Sequence, residues 1–201
     1  MNKYNKIYCL FEQSGTFKKE FIKLGYNAID IDINNEFNET NIIIDIFQEI
    51  EKAYINEKSI FDIIEENDLV IAFFPCIRFS RNINLMFRGD QSQLKNKSDE
   101  FKILTAINLK KEQEYYYNIF AKFYLICLKR KINCIIENPY SEESYLIRYF
   151  PIKPKLIDYD RRKNGDNYKK PTMYYYINIE PSINIQDYII RQEKIYTINN
   201  H

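Results

Sequence analysis

Asp68-Leu69-Val70-Ile71-Ala72-Phe73-Phe74-Pro75-Cys76 is the stretch that decides the fold class. From Leu69 to Phe74 it is apolar without a break. A strand apolar on both faces needs cover on both sides, which is the situation of a parallel sheet in an α/β protein. Pro75 ends the run, because proline has no N–H to give to a ladder. Cys76 then falls at the carboxyl end of a buried strand, where open α/β sheets bind their ligands.

Working outward, apolar runs alternate with longer amphipathic segments. Upstream, residues 6–11 read as a strand, 16–24 as a helix closed by Gly25, and 27–33 as a second strand. In that helix Phe17, Phe21 and Leu24 share one face, with Lys18 and Lys19 on another. A short strand at 42–46, a helix at 47–55 and a turn of helix near 59–65 follow. Downstream, 77–99 is polar with little periodicity and reads as a long loop that closes over an active site. A helix spans 100–130, a strand 132–137 ends before Pro139, and a helix lies near 141–149. Strands near 155–159 and 172–179 have no long helix between them, which predicts an antiparallel hairpin at the sheet edge. The expected fold is a Rossmann-like α/β domain over 1–201, mostly parallel, with helices on both faces.

The composition narrows the chemistry. Net charge is +1 from 29 basic and 28 acidic residues, so no bulk field favours nucleic acid. The one histidine is His201, which removes imidazole-based schemes, and the four cysteines have no zinc spacing; no metal is expected. No segment has the length of apolar residues that a membrane span needs, and the N-terminus lacks a signal-peptide pattern, so an intracellular, cytoplasmic protein with no membrane partner is expected. Cys9, Cys127 and Cys134 read as small buried hydrophobes.

Three strand ends carry candidate site residues. Phe11-Glu12-Gln13-Ser14-Gly15-Thr16-Phe17 joins the first strand to the first helix, where a glycine and a helix N-terminus admit an anionic group. Asp32 lies 17 residues after Gly15, the place of a ribose-binding acid, with Asp30 as the alternative. Cys76 is displayed toward the crevice with Arg78 nearby, a setting that lowers a thiol pKa. Farther on, Arg161, Arg162, Lys163, Lys169 and Lys170 are interleaved with tyrosines, a pattern that grips phosphates and stacks bases.

These residues carry a family resemblance. Asp68 to Phe74 followed by Pro75-Cys76-Ile77-Arg78-Phe79-Ser80 resembles the nucleophile motif of the cytosine-5 DNA methyltransferases. Ile135-Ile136-Glu137-Asn138 resembles the family's Glu-Asn motif, and Phe11 to Phe17 its S-adenosylmethionine loop, with Gln13 and Thr16 in place of glycines. Asp32 and Asp45 match the ribose-side and adenine-side acids. The resemblance implies a class I methyltransferase fold with S-adenosylmethionine as cofactor, bound by Phe11, Gly15, Thr16, Asp32, Asp45 and Pro75. It implies Cys76 as nucleophile on carbon 6 of cytosine, Glu137 at the ring nitrogen, and Asn138 anchoring the Pro75–Cys76 loop or binding the base. Arg78, Ser80, Arg161 and Arg162 would contact a substrate that is DNA or a cytosine-containing nucleotide. The chain ends soon after its seventh strand, so target recognition is expected from a protein partner. A catalytically silent protein that binds a nucleotide, nucleic acid or protein through the same crevice is the alternative.

Overall fold

The structure, a computed structural model, describes residues 3–181; Met1, Asn2 and the expectation placed on His201 lie outside them. A seven-stranded sheet forms the centre, in the order β3-β2-β1-β4-β5-β7-β6. Its strands are β1 (Lys6–Leu10), β2 (Asn27–Asp32), β3 (Ile42–Ile43), β4 (Leu69–Phe73), β5 (Asn133–Pro139), β6 (Leu156–Asp158) and β7 (Thr172–Ile177). β1, β2, β3, β4 and β5 pair in parallel, while β7 runs antiparallel to both β5 and β6. The edge hairpin is therefore present, with β7 inserted between β5 and β6.

Alternation along each strand sorts side chains between two layers. On β1, Tyr8 and Leu10 face one core and Ile7 and Cys9 the other. The larger core lies under α2 (Ile46–Tyr54), α5 (Asp99–Lys129) and α6 (Tyr145–Tyr149). The smaller core gathers Ile7, Cys9, Ala28 and Leu69 with Phe21 of α1 (Thr16–Lys23). Cys9, Cys127 and Cys134 are buried in these layers.

Several boundaries differ from the sequence reading. Residues 77–99 are not one long loop: they hold α3 (Arg81–Phe87) and α4 (Ser92–Lys95), pinned by buried Ile83 and Leu94. With one deep anchor per short helix, no hydrophobic period is visible in the sequence. β3 is cut to Ile42–Ile43 because Asp45 starts α2, accepting from Phe47 N at 2.9 Å and Gln48 N at 3.4 Å. The helix near 141–149 begins only at Tyr145.

The basic face of α1 also divides unexpectedly. Lys19 stays outside, but Lys18 is the buried residue of the helix, while Phe17 and Leu24 are exposed. Lys18 Nζ reaches fully buried Asp30 at 3.0 Å and Asn41 Oδ1 at 3.1 Å, and it also donates to the Glu39 carbonyl. Asp30 Oδ1 in turn accepts from Asn41 N at 2.9 Å. This network ties α1 and β2 to the segment before β3, and Asp30 is thereby engaged inside the smaller core.

Removing one partner of a buried pair leaves an uncompensated charge, at a cost of about 3–5 kcal/mol. Lys18→Met is expected to lower the unfolding free energy by that order, read as a lower urea midpoint at unchanged m-value, and adding Asp30→Asn, which removes the stranded charge, recovers part of the loss. Equal midpoints for Lys18→Met and the unaltered chain would refute the role of this pair.

Candidate active site

The β4 end is built from the larger core outward. Phe74 is buried against Phe11, Phe47, Phe79 and Phe120, with ring centroids 5.3, 5.7, 6.1 and 5.1 Å away. Phe11 holds a left-handed φ of 60°, a conformation that costs a non-glycine residue about 1–3 kcal/mol and persists only where packing holds it. Past Phe74 the chain leaves the ladder at Pro75, so its carbonyls need partners elsewhere. Asn138 Nδ2, fully buried on β5, donates to Phe74 O at 2.9 Å. The Cys76 carbonyl accepts from Phe79 N at 2.9 Å and Ser80 N at 3.0 Å. Gln113 Nε2 on α5 donates to Arg78 O at 3.0 Å, and Tyr145 N on α6 to Phe79 O at 3.1 Å. The Pro75–Ser80 turn is thus a held segment, and Asn138 is its anchor.

Cys76 lies half-buried on this turn. Phe73 of β4 is in register with Glu137 of β5, so the turn that carries Cys76 starts from the strand next to Glu137. Burial raises the Cys76 thiol pKa; Lys170 draws it back down and Glu137 pushes it up. Burial likewise raises the Glu137 carboxyl, against the opposing pull of Lys170 and Arg161. Arg161 Nη1 stands 3.9 Å from Glu137 Oε1, with its Nη2 2.7 Å from Asp166. Cys76, Glu137, Asn138, Arg161 and Lys170 therefore converge at one rim. A thiol raised by burial is mostly protonated at neutral pH, in contrast to the lowered value expected from an adjacent arginine. The reason is geometric: Arg78 turns to α5, where its Nε meets Glu112 at 2.6 Å. Arg162 is held by Asp160, Nε to Oδ1 at 2.8 Å and Nη2 to Oδ2 at 2.6 Å. Ser80 precedes α3 and lines a cleft with Tyr140 and Tyr159.

A second group of residues surrounds the turn after β1. Gly15 has φ 69°, and a Cβ there would come within 3.0 Å of the Glu39 side chain, so glycine is required. In the same turn Gln13 Oε1 accepts from Glu36 N at 3.3 Å, and Thr16 Oγ1 lies 2.7 Å from Ser14 Oγ. Glu12 is buried; its Oε1 accepts from Ser14 N at 2.9 Å and from the Ser14 hydroxyl, while Oε2 is buried with no partner among the described residues. Asp32 sits half-buried at the end of β2, accepting from Asn34 N at 2.8 Å. A buried carboxylate oxygen without a partner suits a ligand group that carries positive charge or donates a hydrogen bond.

The sequence reading placed Lys170 only in the basic stretch 161–170, not beside Cys76, and Glu12 only in the turn after β1. The signal for Lys170 was the predicted hairpin: an antiparallel strand begins where its parallel neighbours end, so the residues leading into β7 arrive at the rim. Glu12 carried no signal beyond its place in the turn.

Among the described residues no group of three or more His, Cys, Asp or Glu side chains is arranged to hold a metal ion. No helix among them is long and apolar enough to cross a membrane. The chain matches no protein-family model and no curated protein.

The charges around Cys76 make its titration a test of the site. The thiolate is the species alkylated, so a raised pKa moves the alkylation profile to higher pH. Iodoacetamide labelling of Cys76, followed by peptide mass spectrometry, is expected to rise with pH through a midpoint above that of free cysteine. Lys170→Ala should move the midpoint further up, and Glu137→Gln should move it down. A midpoint insensitive to both substitutions would mean that the three groups do not share a crevice.

Proposed function

We propose that the chain is an S-adenosylmethionine-dependent methyltransferase acting on carbon 5 of cytosine in DNA, with Cys76 as the nucleophile and Glu137 as the acid at the ring nitrogen. One observation carries this reading: the turn after β4 that bears Cys76 and the end of β5 that bears Glu137 open at the same edge of the sheet, where Glu137 and Lys170 both act electrostatically on the thiol. The mostly parallel sheet with an antiparallel hairpin at one edge supports it, since the class I methyltransferase resemblance implies that architecture.

Glu12 and Asp32 would hold the cofactor's ammonium group and ribose hydroxyls, with Phe11, Gly15, Thr16, Asp45 and Pro75 bounding the rest of its pocket. When bound, S-adenosylmethionine supplies a methyl group made electrophilic by a sulfonium sulfur. The remaining chemistry belongs to the chain. Carbon 5 of cytosine is a poor nucleophile. Addition of the Cys76 sulfur to carbon 6, its thiol proton passing to solvent and a proton passing from Glu137 to nitrogen 3, converts the ring to an enamine with electron density on carbon 5. Burial raises the Glu137 carboxyl, the direction that favours the protonated form this step uses. Loss of the carbon 5 proton to a base, with departure of the Cys76 sulfur and return of the nitrogen proton to Glu137, restores the ring. Asn138 acts as a positioning residue, holding the turn from which the sulfur attacks. Arg161 and Lys170 supply positive charge to a phosphate-bearing substrate, whose target base must leave the helical stack to reach the rim.

The raised Cys76 thiol favours a second reading, in which the crevice binds a nucleotide, nucleic acid or protein without reacting. Covalent trapping separates the two. With S-adenosylmethionine and DNA containing 5-fluorocytosine, the unaltered chain is expected to form an adduct visible by intact mass, because fluorine cannot leave as a proton does. Cys76→Ser should form none. Glu137→Gln should slow trapping by about 100- to 10,000-fold, the usual contribution of a general acid. The absence of an adduct with the unaltered chain, where a known cytosine-5 methyltransferase gives one, would leave the binding reading standing.

A further inference from the structure

Beside the Cys76–Glu137 rim lies a cleft of about 450 Å³, within the size range of small-ligand sites. It shares two elements with the rim. Ser80, on its near wall, belongs to the turn that carries Cys76 and donates its N–H to the Cys76 carbonyl at 3.0 Å. Pro139, on its floor, lies on the same face of β5 as Glu137, two residues on, a separation of about 6.6 Å along an extended strand. Tyr140 N donates to Pro171 O at 2.9 Å and so closes the floor between the end of β5 and the start of β7.

The lining has a defined chemistry. Pro139 and Pro171 give flat apolar surfaces, and the rings of Tyr140 and Tyr159 meet edge to face at 5.4 Å. Among the described residues that line the cleft none is charged. Ser144 is 1% exposed, lines the cleft, and its Oγ is buried without a hydrogen-bond partner among the described residues. A buried hydroxyl left in this state is unfavourable until something meets it. The ligand group that suits these walls is flat, uncharged and edged with hydrogen-bonding atoms, which describes a nucleobase. The cations stand outside the cleft at its seam with the rim: Lys170 precedes Pro171, Arg161 follows Tyr159 by two residues, and both act on Glu137. A phosphate joining a group in the rim to a group in the cleft would pass beside them.

We propose that this cleft is a second base pocket, and that it holds the nucleobase adjacent to the reacting cytosine in single-stranded DNA. The inference rests on the reading that Cys76 and Glu137 act on a cytosine, and it specifies the form of the substrate. Two neighbouring bases enter separate pockets only when both are free of a duplex stack, and stacking on tyrosine then contributes to binding without strict sequence preference.

The test uses the unaltered chain and fluorescently labelled 12-nucleotide single strands that contain one cytosine. The strands are intact, or carry an abasic residue immediately 5′ or immediately 3′ of that cytosine. One abasic position is expected to weaken binding by about 5- to 150-fold, the range of a base–aromatic stack. Tyr159 is 61% exposed, so Tyr159→Ala leaves the fold intact. That variant should bind the intact strand as weakly as the unaltered chain binds the abasic one, and bind the abasic strand no more weakly still. Equal affinity for intact and both abasic strands, tighter binding of the corresponding duplex, or no binding of any strand overturns the proposal. Adduct formation without neighbour-base dependence removes this pocket alone, and neighbour-base dependence without any adduct removes methyl transfer alone.

Discussion

The hydrogen bond from Asn138 Nδ2 to the Phe74 carbonyl is the contact on which the candidate site depends. β4 must stop at Pro75, and the ladder that satisfied its backbone stops with it. A carbonyl left at that point, inside the aromatic core, would be unpaired in a low-dielectric setting. Asn138 meets it from the neighbouring strand, one residue after Glu137, so the residue that presents the carboxylate is continuous with the one that holds the thiol's turn. Around this bond the chain spends its largest side chains: Phe11, Phe47, Phe79 and Phe120 encircle Phe74. Such a base allows only small displacement of Cys76, because tightly packed interiors resist rearrangement.

Electrostatics at the rim run in two directions. Burial disfavours the charged forms of both Cys76 and Glu137, while Lys170 and Arg161 favour them. Burial prevails in both cases. Burial therefore shifts both groups toward their protonated forms, and a ligand that completes the exclusion of water or brings its own charge changes that balance. Lys18 and Asp30 show the opposite resolution at β2. There a cation and an anion meet at 3.0 Å with amide and carbonyl groups around them, and the contact ties α1 to β2. One buried charge pair holds the scaffold; the other cluster has its partners at longer range, as suits groups that exchange protons.

Legibility in the sequence followed the kind of signal. The unbroken apolar run before Pro75 announced a central parallel strand, and the missing helix between the last two strands announced an edge hairpin. Both concern backbone pairing, which hydrophobic pattern encodes directly. Lys18 was misread because a lysine on a short helix is ordinarily solvated; only the juxtaposition with Asp30, brought in by parallel pairing of β1 and β2, explains its burial. α3 and α4 were hidden because Ile83 and Leu94 each anchor a short helix without a repeating partner. Arg78 lies near Cys76 in sequence yet extends to Glu112, a residue 34 positions away.

The sequence by itself determined the α/β class, the strand end that displays Cys76, and the placement of Glu137 and Asn138 near the next strand end, since apolar pattern marks buried strands, although β5 runs on through Pro139, which pairs with Thr172 of β7, where a proline was expected to end it. Only the tertiary structure decided which charges surround the thiol. Lys170 and Arg161 arrive through the antiparallel return of β7 and the turn before it, and Arg78 departs to a distant helix. Side-chain reach across non-local neighbours depends on the register of the packed chain, and no local pattern in the sequence carries that information.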